Sequence, residues 1–263
     1  MKAVIKKRFS DIVFVWQFAI DDFKAKYAGS MLGAAWAFLQ PIITIMLYWF
    51  IFQLGFKSAP VENFPFVLWL MVGLIPWFFI SDAISNATTS LMEYSYLVKK
   101  VLFNINILPV AKVLSILFVQ LVLIVFAIIL YMICGYYPDE YYLLIPVYLL
   151  YMLILTSGIV YLTSTLYVFF KDTVQIVSII LQIVFWLTPI VWDYSIMPES
   201  VQKILVFNPL YYLVSGYRNI FIYKDGIGQS VGMNLYYWLS AVAILFVGIK
   251  LFENCKAHFA DVL

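Results

Sequence analysis

The chain has 263 residues, of which 65% are hydrophobic and only 11% are charged, and its formal net charge is +2. Ordinary soluble domains are about half apolar and about a quarter charged, so this composition excludes a soluble domain. The net charge says little about partners, and we expect no nucleic-acid partner. Because a chain in lipid must satisfy its backbone polar groups internally, the sequence predicts an all-α integral membrane protein, with one transmembrane domain over residues 1–263.

The N-terminal segment is predicted to lie along the membrane surface. Residues 11–28 carry apolar side chains at intervals of three or four on one face, and Gln17, Asp21 and Lys24 on another. This pattern is typical of an amphipathic helix in the membrane interface. A cytosolic helix packed on a partner is the alternative. The apolar face consists of Ile12, Trp16, Ile20, Phe23 and Tyr27.

Six transmembrane helices are predicted from the apolar runs that follow. The second run is short for a bilayer unless its helix continues past Asp82. Residues 193–230 are partly apolar but are interrupted by Pro and Gly. They predict one or two re-entrant helices that dip into the membrane between spans 5 and 6. A seventh span over residues 204–223 is the alternative, although it fits the distribution of basic residues less well. The six spans cover residues 34–56, 65–80, 107–134, 143–169, 174–192 and 231–252.

Basic residues predict the orientation of these spans. Of the sixteen Lys and Arg residues, twelve lie on the side that holds both termini and the loop between spans 2 and 3. Positive charge marks the cytoplasmic side, so both termini are predicted to be cytoplasmic. The other side carries Lys57, Lys203, Arg218 and Lys224.

The longest polar interruption between apolar runs is the loop 86–112. Within it, Glu93 to Phe103 is predicted to form a short basic helix with an apolar stripe. Such a helix between two spans is suited to docking a soluble partner. A solvated connector that lies on the lipid headgroups is the alternative. The stripe consists of Leu91, Tyr94, Val98, Leu102 and Ile105.

The chain lacks the residues that would give it its own chemistry or energy source. No predicted span has a central ionisable residue, which argues against a proton-driven carrier. No GxxxxGK[ST] phosphate-binding loop is present. The single histidine, His258, has no metal-ligand cluster around it in the sequence. We therefore expect no catalytic residue, metal or cofactor on this chain, and we expect a transport scaffold driven by a separate subunit.

Aromatic residues inside the predicted spans have two interpretations. Packing or lipid contact is the ordinary one. The other is an aromatic-lined translocation path, because sugar rings stack on aromatic planes and Tyr and Trp tips can bond to hydroxyl groups. The residues predicted for such a path are Trp36, Phe38, Tyr48, Tyr161, Phe185 and Trp186.

Three stretches resemble one membrane-protein family. The first has the pattern LGxxWxxLxP over residues 32–41, after a basic interfacial segment. The second is Phe170-Lys171-Asp172, followed by a span that ends near Pro189. The third is Asn208-Pro209-Leu210 with Gly216-Tyr217-Arg218 after it. In order and spacing they resemble the permease subunit of the ABC type-2 exporters that move O-antigens, capsules or teichoic acids. The basic segment carries lysines where that family usually has arginines.

The resemblance implies partners and a location. A homodimeric pore would form from two copies of the chain, each bound to an ATP-binding cassette subunit that holds ATP and Mg²⁺. Its substrate would be a polysaccharide on a polyprenyl diphosphate lipid, with O-antigen preferred over teichoic acid or capsule. The location would be the bacterial plasma membrane. An ABC exporter of drugs or lipids, a membrane enzyme acting on polyprenyl-linked sugars, and a channel without an ATPase partner are the alternatives.

The resemblance also implies site residues. The coupling helix would contact the ATPase through Glu93, Tyr94, Tyr96, Leu97, Lys99 and Lys100. The interfacial residues Lys24, Lys26 and Tyr27, and the basic start Lys2 to Arg8, would meet the lipid diphosphate. The 193–230 region would form the outer gate, with Asn208, Pro209, Tyr217 and Arg218 in it.

Overall fold

The computed structural model describes residues 2–55, 64–99, 104–226 and 228–263, with side chains from residue 13 onward. The chain begins with one long helix, α1 (Lys2–Tyr27), so the interfacial helix extends further towards the N-terminus than the predicted 11–28. It packs along the third apolar helix described below. The side chains of Lys2 to Arg8, and the loop residues 56–63, lie outside the described residues.

Five segments of the described chain are long and apolar enough to cross a membrane: Gly33–Gly55, Phe66–Thr88, Ile107–Ile133, Glu140–Phe169 and Val231–Val262. The predicted all-helical membrane fold is therefore confirmed. The predicted fifth span is the helix Thr173–Leu187, whose 15 residues extend about 22 Å. The hydrocarbon core of a bilayer is about 30 Å thick, so a total of six spans stays a prediction.

The helices in these segments are labelled in chain order. A 3₁₀ turn precedes α2 and a π-helical stretch follows it. Two one-turn helices, α4 and α5, connect α3 to α6, and the outer region contains α9 and α10. The bounds are α2 (Trp36–Trp49), α3 (Phe66–Thr88), α4 (Ser90–Glu93), α5 (Ser95–Val98), α6 (Ile107–Ile133), α7 (Ile145–Phe169), α8 (Thr173–Leu187), α9 (Glu199–Leu205), α10 (Pro209–Arg218), α11 (Val231–Cys255) and α12 (Phe259–Val262).

Helix α3 lies at the centre of the protein and is longer than the predicted span 65–80. It continues past Asp82 to Thr88, which is the condition under which the second span is long enough for a bilayer. It packs against α2, α6, α7, α8 and α10. Most of its residues are buried, so the other elements are arranged around this one helix.

The closest helix pair is α7 with α11. Gly158 and Gly248 face each other there, and a Cβ on Gly248 would lie 2.5 Å from the carbonyl oxygen of Gly158. Small residues let membrane helices approach closely where no hydrophobic effect draws them together. This contact places the C-terminal end of α11, and α12 after it, beside the loop that joins α3 to α6.

The short helices predicted for 193–230 are present as α9 and α10, followed by a π-helical turn at Asn219–Tyr223. An ion pair of 2.7 Å joins Lys224 to Asp139 in the loop before α7. The two loops therefore lie at the same end of the helix bundle. A re-entrant position of α9 and α10 in the membrane stays a prediction.

Candidate functional site

The loop between α3 and α6 differs from the predicted single helix over Glu93 to Phe103, and that prediction is wrong. α4 and α5 are separated by a non-helical Tyr94, with φ −102° and ψ 29°. Isolated helices this short are unstable, so packing holds each turn in place: Leu91 and Val98 are buried. Residues 100–103, which include the predicted coupling residue Lys100, lie outside the described residues.

The apolar stripe predicted for this loop does face the protein. Its members Leu91, Tyr94, Val98 and Ile105 join a cluster that also contains residues of α7, α11 and α12. The centre of this cluster is formed by Phe252 and Phe259, whose ring centroids are 5.2 Å apart. The loop is therefore docked on the C-terminal end of the chain. Leu102, the remaining stripe residue, is outside the described residues.

A buried ion pair links the N-terminal helix to this loop. The Lys112 ammonium on α6 lies 2.8 Å from an Asp22 carboxylate oxygen on α1 and 2.7 Å from a Glu93 carboxylate oxygen on α4. Asp22 is only 5% exposed and Lys112 8%. Charges are buried at this level almost only when they are paired. Lys112 therefore holds three elements, α1, α4 and α6, at one point.

The carboxylates of Asp22 and Glu93 also accept hydrogen bonds from neighbouring hydroxyl groups. Asp22 accepts hydrogen bonds from the Tyr94 hydroxyl at 2.5 Å and from the Ser115 hydroxyl at 2.8 Å. Glu93 accepts one from the Thr89 hydroxyl at 2.5 Å. Burial, and after it the hydrogen bond to Asp22, raise the pKa of the Tyr94 phenol well above its usual range. Tyr94 therefore stays protonated and remains a donor. We call the group Asp22, Glu93, Tyr94, Lys112 and Ser115 the junction.

The predicted coupling residues divide into two sets. Glu93 and Tyr94 belong to the junction and face the protein, whereas Leu97 is half-buried in the apolar cluster. Tyr96 is 59% exposed and Lys99 is exposed. These two side chains lie on the outer side of the loop. The loop thus has accessible side chains at Tyr96 and Lys99 and a charged contact to α1 and α6 through Glu93 and Lys112. A coupling role of this loop stays a prediction.

The predicted lipid-facing residues also differ in their surroundings. Lys24 is exposed, and none of the described residues pairs with it. Lys26 forms an ion pair of 2.9 Å with Asp82 of α3 and lies 5.5 Å from the ring centroid of Tyr27. The carboxylate of Asp82 already neutralises Lys26. Lys24 is therefore the lysine of this pair that is free to meet an anion.

The six aromatic residues predicted for a translocation path do not form one continuous group in the chain. Phe185 stacks on Tyr48 at 6.0 Å and contacts Trp186 at 5.3 Å. Trp36 is exposed, and Phe38 packs in a separate small cluster beside Val119 and Leu123. Tyr161 is buried in the apolar cluster under the loop. Three of the six predicted residues, Tyr48, Phe185 and Trp186, are therefore in contact with one another through Phe185. We call these three the assembled half of the aromatic set.

Replacing Tyr161 with phenylalanine is expected to affect stability rather than transport. Its hydroxyl donates a hydrogen bond of 2.9 Å to the backbone oxygen of Asn106. Loss of this bond is expected to cost about 1 kcal/mol, which lowers the melting temperature of the purified protein by about 2–4 °C. Export per folded transporter is expected to stay unchanged. Reduced export at an unchanged melting temperature would instead indicate that Tyr161 lines the translocation path.

The predicted outer-gate residues are tied into the protein by hydrogen bonds. Arg218 is 5% exposed, and its guanidinium donates to the backbone oxygens of Pro189 and Ile190, each at 2.7 Å. Its guanidinium carbon also lies 3.5 Å from the ring centroid of Trp69. Arg218 thus holds the non-helical segment after α8 against α3. A gating role of this region stays a prediction.

The other three outer-gate residues have similar attachments. Asn208 caps α10 by accepting from the amide of Leu210, and it donates to the Thr188 hydroxyl at 2.8 Å. The backbone oxygen of Pro209 accepts from the Tyr151 hydroxyl at 3.1 Å. Tyr217 is fully buried and accepts a hydrogen bond from Gln120 at 3.3 Å. Sequence reasoning identified these four positions but not their hydrogen bonds to α6, α7 and the end of α8.

Sequence reasoning did not identify Asp22, Lys112 and Ser115 as site residues. A carboxylate on the amphipathic segment 11–28 was visible at position 22. It lies one residue before the predicted stripe position Phe23. The buried side of α1 is in fact formed by Phe18, Ala19 and Asp22. Ala19 and Asp22 are three residues apart and therefore lie on the same face of a helix. This spacing was the only sign in the sequence that Asp22 shares a face with a small residue.

These observations define a class of protein. The chain is an all-helical, multi-pass membrane protein in which the docked loop between α3 and α6 contacts the N-terminal helix α1 through buried charges. Among its described residues there is no cluster of metal-ligating side chains. This is the architecture of the membrane subunit of a transporter.

The family is given by comparison with known proteins. The ABC-2 type transporter family model matches residues 15–222, so the chain belongs to that family. It is 29% identical over 242 residues to the O-antigen export system permease protein RfbA of Myxococcus xanthus, covering 91% of each chain. It is 28% identical over 245 residues to an RfbA of Klebsiella pneumoniae, covering 92% of each. With the polysialic acid transport protein KpsM of Escherichia coli it shares 24% identity over 240 residues, 89% of this chain and 90% of the relative. The resemblance in the sequence motifs is confirmed.

Proposed function

We propose that this chain is the transmembrane subunit of an ATP-driven exporter that moves a polysaccharide across the bacterial plasma membrane. The observation that carries the proposal is the alignment, over about nine tenths of both chains, with permeases named for O-antigen export and polysialic acid transport. The O-antigen permeases share 27–29% identity with this chain and the polysialic acid transporters 23–24%. O-antigen is therefore the preferred cargo, and a capsular polymer is the second candidate.

Deletion of the corresponding gene tests this function. The polymer is expected to disappear from the cell surface and to accumulate inside the cell on its polyprenyl diphosphate lipid. The measurement is immunodetection of the polymer on intact and on permeabilised cells, with a strain complemented by the intact gene as control. Polymer that stays on the surface at the wild-type level would contradict the proposal. The chemical composition of the accumulated polymer decides between O-antigen and capsule.

The proposed topology has six spans and cytoplasmic termini. Two structural contacts support the sidedness. Tyr94 of the loop lies 5.0 Å, ring to ring, from Phe18 of α1, and the C-terminal Phe259 packs in the same apolar cluster. The loop 86–112, α1 and the C-terminus therefore share one end of the protein. Most of the Lys and Arg residues lie at that end in sequence, as expected for the cytoplasmic side.

We further propose that each of two copies binds one ATP-binding cassette subunit, which holds ATP and Mg²⁺. The outer face of the loop, with Tyr96 and Lys99, is the docking surface. The junction below it transmits movement to α1 and α6 through Lys112. Because no energy source was found in the sequence of this chain, the ATPase subunit supplies the driving force. The two copies form the pore, with the outer region 193–230 as its gate.

Lys24 is proposed to attract the diphosphate of the lipid-linked substrate. A lysine near a membrane surface contributes about 1 kcal/mol to binding of an anionic lipid, roughly fivefold in affinity. Lys24→Gln is therefore expected to raise about fivefold the concentration of polyprenyl diphosphate that half-stimulates ATPase activity of the reconstituted complex. Lys26→Gln is expected to have a smaller effect, because Asp82 already pairs with Lys26.

The control for this experiment is Lys203→Gln, since Lys203 is an exposed lysine of the outer region. It is expected to leave the stimulation unchanged. Equal curves for wild type and Lys24→Gln would remove the proposed role of Lys24 and leave the exporter function in place.

A further inference from the structure

A cavity lined by both polar and apolar side chains lies between α1, α2, α3 and α6, beside the Lys26–Asp82 ion pair. Its volume is about 360 Å³. Its wall on α3 extends from Phe78 to Asn86, a length of about 12 Å along the helix. Neither the junction nor the assembled half of the aromatic set lines it. The cavity is therefore a feature separate from both.

The lining of the cavity is rich in neutral hydrogen-bonding groups. α2 contributes Gln40 and Thr44, α3 contributes Ser85 and Asn86, and α6 contributes Gln120. Amides both donate and accept hydrogen bonds, and so do hydroxyls. Aromatic rings from Tyr27, Phe78 and Phe79 form part of the same wall. Polar groups placed among aromatic side chains are typical of small-molecule sites.

Gln120 points to a ligand in this cavity. It lies near the middle of α6, is 1% exposed, and donates from Nε2 to the Tyr217 hydroxyl at 3.3 Å. Its Oε1 is buried and has no hydrogen-bond partner among the described residues. A buried acceptor without a partner is costly. Gln120 forms part of the cavity wall, so a rotation of its amide towards the cavity would let a donor group of a ligand satisfy this oxygen.

The charges of the cavity select the kind of ligand. Its only charged lining residues in the described chain are Lys26 and Asp82, which neutralise each other at 2.9 Å. A diphosphate would meet the Asp82 carboxylate, and a cation would meet the Lys26 ammonium. A neutral ligand with several hydroxyl groups avoids both costs. Its hydroxyls can donate to the Gln120 oxygen, and its C–H faces can stack on the aromatic rings.

We propose that this cavity binds neutral sugar units of the exported polymer. The inference rests on the proposed function, because it takes the polysaccharide as the cargo. It separates two parts of substrate recognition in this chain. The lipid diphosphate would be met at the exposed Lys24, and the sugar would be bound between α1, α2, α3 and α6.

Photo-crosslinking in cells tests the proposal on the intact complex. A diazirine amino acid is placed at Thr44, which lines the cavity, or at the adjacent Ile43, which is 54% exposed and does not line it. Cells that make the polymer are irradiated, the chain is purified with its ATPase, and its peptides are analysed by mass spectrometry. We expect sugar adducts on the Thr44 peptide and lipid adducts on the Ile43 peptide.

A second variant tests whether the yield of the Thr44 sugar adduct depends on Gln120. Gln120→Leu removes one hydrogen bond to the ligand, together with the one to Tyr217. It is expected to reduce the Thr44 sugar adduct by about threefold or more, compared at equal amounts of chain in the membrane. Equal sugar adducts at positions 43 and 44 would overturn the proposal. So would a Thr44 adduct that contains lipid or phosphate and no sugar, or an adduct yield unaffected by Gln120→Leu.

Failure of this inference is distinguishable from failure of the proposed function. If deletion of the gene removes the polymer from the surface but no sugar is captured at Thr44, the cavity does not bind the sugar and the exporter function stands. If deletion leaves the polymer on the surface, both proposals fail together.

Discussion

Replacing Lys112 with methionine is expected to destabilise the folded protein by about 3–5 kcal/mol. The reason is the burial of Asp22, which is 5% exposed and would be left as a charge without its cation. Glu93 would lose the same partner at the surface of the loop. The expected observations are a much smaller amount of chain in the membrane, a lower melting temperature and loss of export. A Lys112→Met chain with wild-type stability would show that the ion pair is not formed.

A double substitution separates stability from coupling. Asp22→Asn combined with Lys112→Met removes both buried charges. The asparagine oxygen can accept from Tyr94, and its amide nitrogen can donate to the Ser115 hydroxyl, which is also within 2.9 Å of the backbone oxygen of residue 112. Replacing a whole buried ion pair by neutral groups is often close to neutral in stability. The double variant is therefore expected to regain most of its melting temperature. Export per folded complex is expected to stay low, because the charged link through Lys112 between the loop and α1 is gone. Full recovery of export would show that the junction stabilises the fold but does not transmit movement.

Replacing Gly248 with valine is expected to be the second most damaging change. Its new Cβ would lie 2.5 Å from the Gly158 carbonyl oxygen of α7, which is backbone and cannot swing aside. Overpacking of this kind costs about 1–3 kcal/mol and sometimes more. α7 and α11 would separate, and α12 would lose its position under the loop. The expected measurement is a lower melting temperature together with faster proteolysis at the C-terminal end.

The matched control is Gly232→Val on the same helix. Nothing lies within 4 Å of the position that a Cβ on Gly232 would occupy. This variant is expected to keep the wild-type melting temperature. If both variants are equally stable, the close contact between α7 and α11 is absent in the protein.

The membrane helices could be predicted because lipid imposes a simple rule on sequence. A segment that spans the bilayer must be apolar and long, and hydropathy reports both. The end of α3 could not be predicted in this way. Residues 81–88 are rich in polar side chains, but Ala83 and Ala87 are buried and Thr88 bonds to Thr163 of α7 at 2.9 Å. Neighbouring helices keep this polar stretch helical.

The loop 86–112 illustrates a second limit. The periodicity of its apolar residues correctly indicated which side chains face the protein. It could not show the break at Tyr94, because the break depends on the hydroxyl of Tyr94 reaching Asp22, 72 residues earlier. Local pattern thus gave the face of the loop but not its backbone path.

The junction was beyond sequence reasoning for a related reason. The apolar stripe predicted for α1 is divided in the structure: Trp16 and Phe23 contact Phe118 of α6, whereas Ile20 is 38% exposed. Asp22 is buried on the side that faces the protein. Hydropathy alone does not show that a charged residue lies on the packed side of a helix. Pairing of Asp22 with Lys112 follows only when the packing of α1 on α6 is known.

The central claim is that the chain works as the membrane half of an ATP-driven exporter, with the outer face of its loop bound to the ATPase. The most direct test is mild-detergent purification of the tagged chain from its own cells, with identification and quantification of the proteins that accompany it. We expect an ATP-binding cassette subunit at equal stoichiometry. We expect it to be lost when Tyr96 and Lys99, two exposed residues of the loop, are both replaced by alanine. A chain that purifies without an ATPase, even after crosslinking, would contradict the claim.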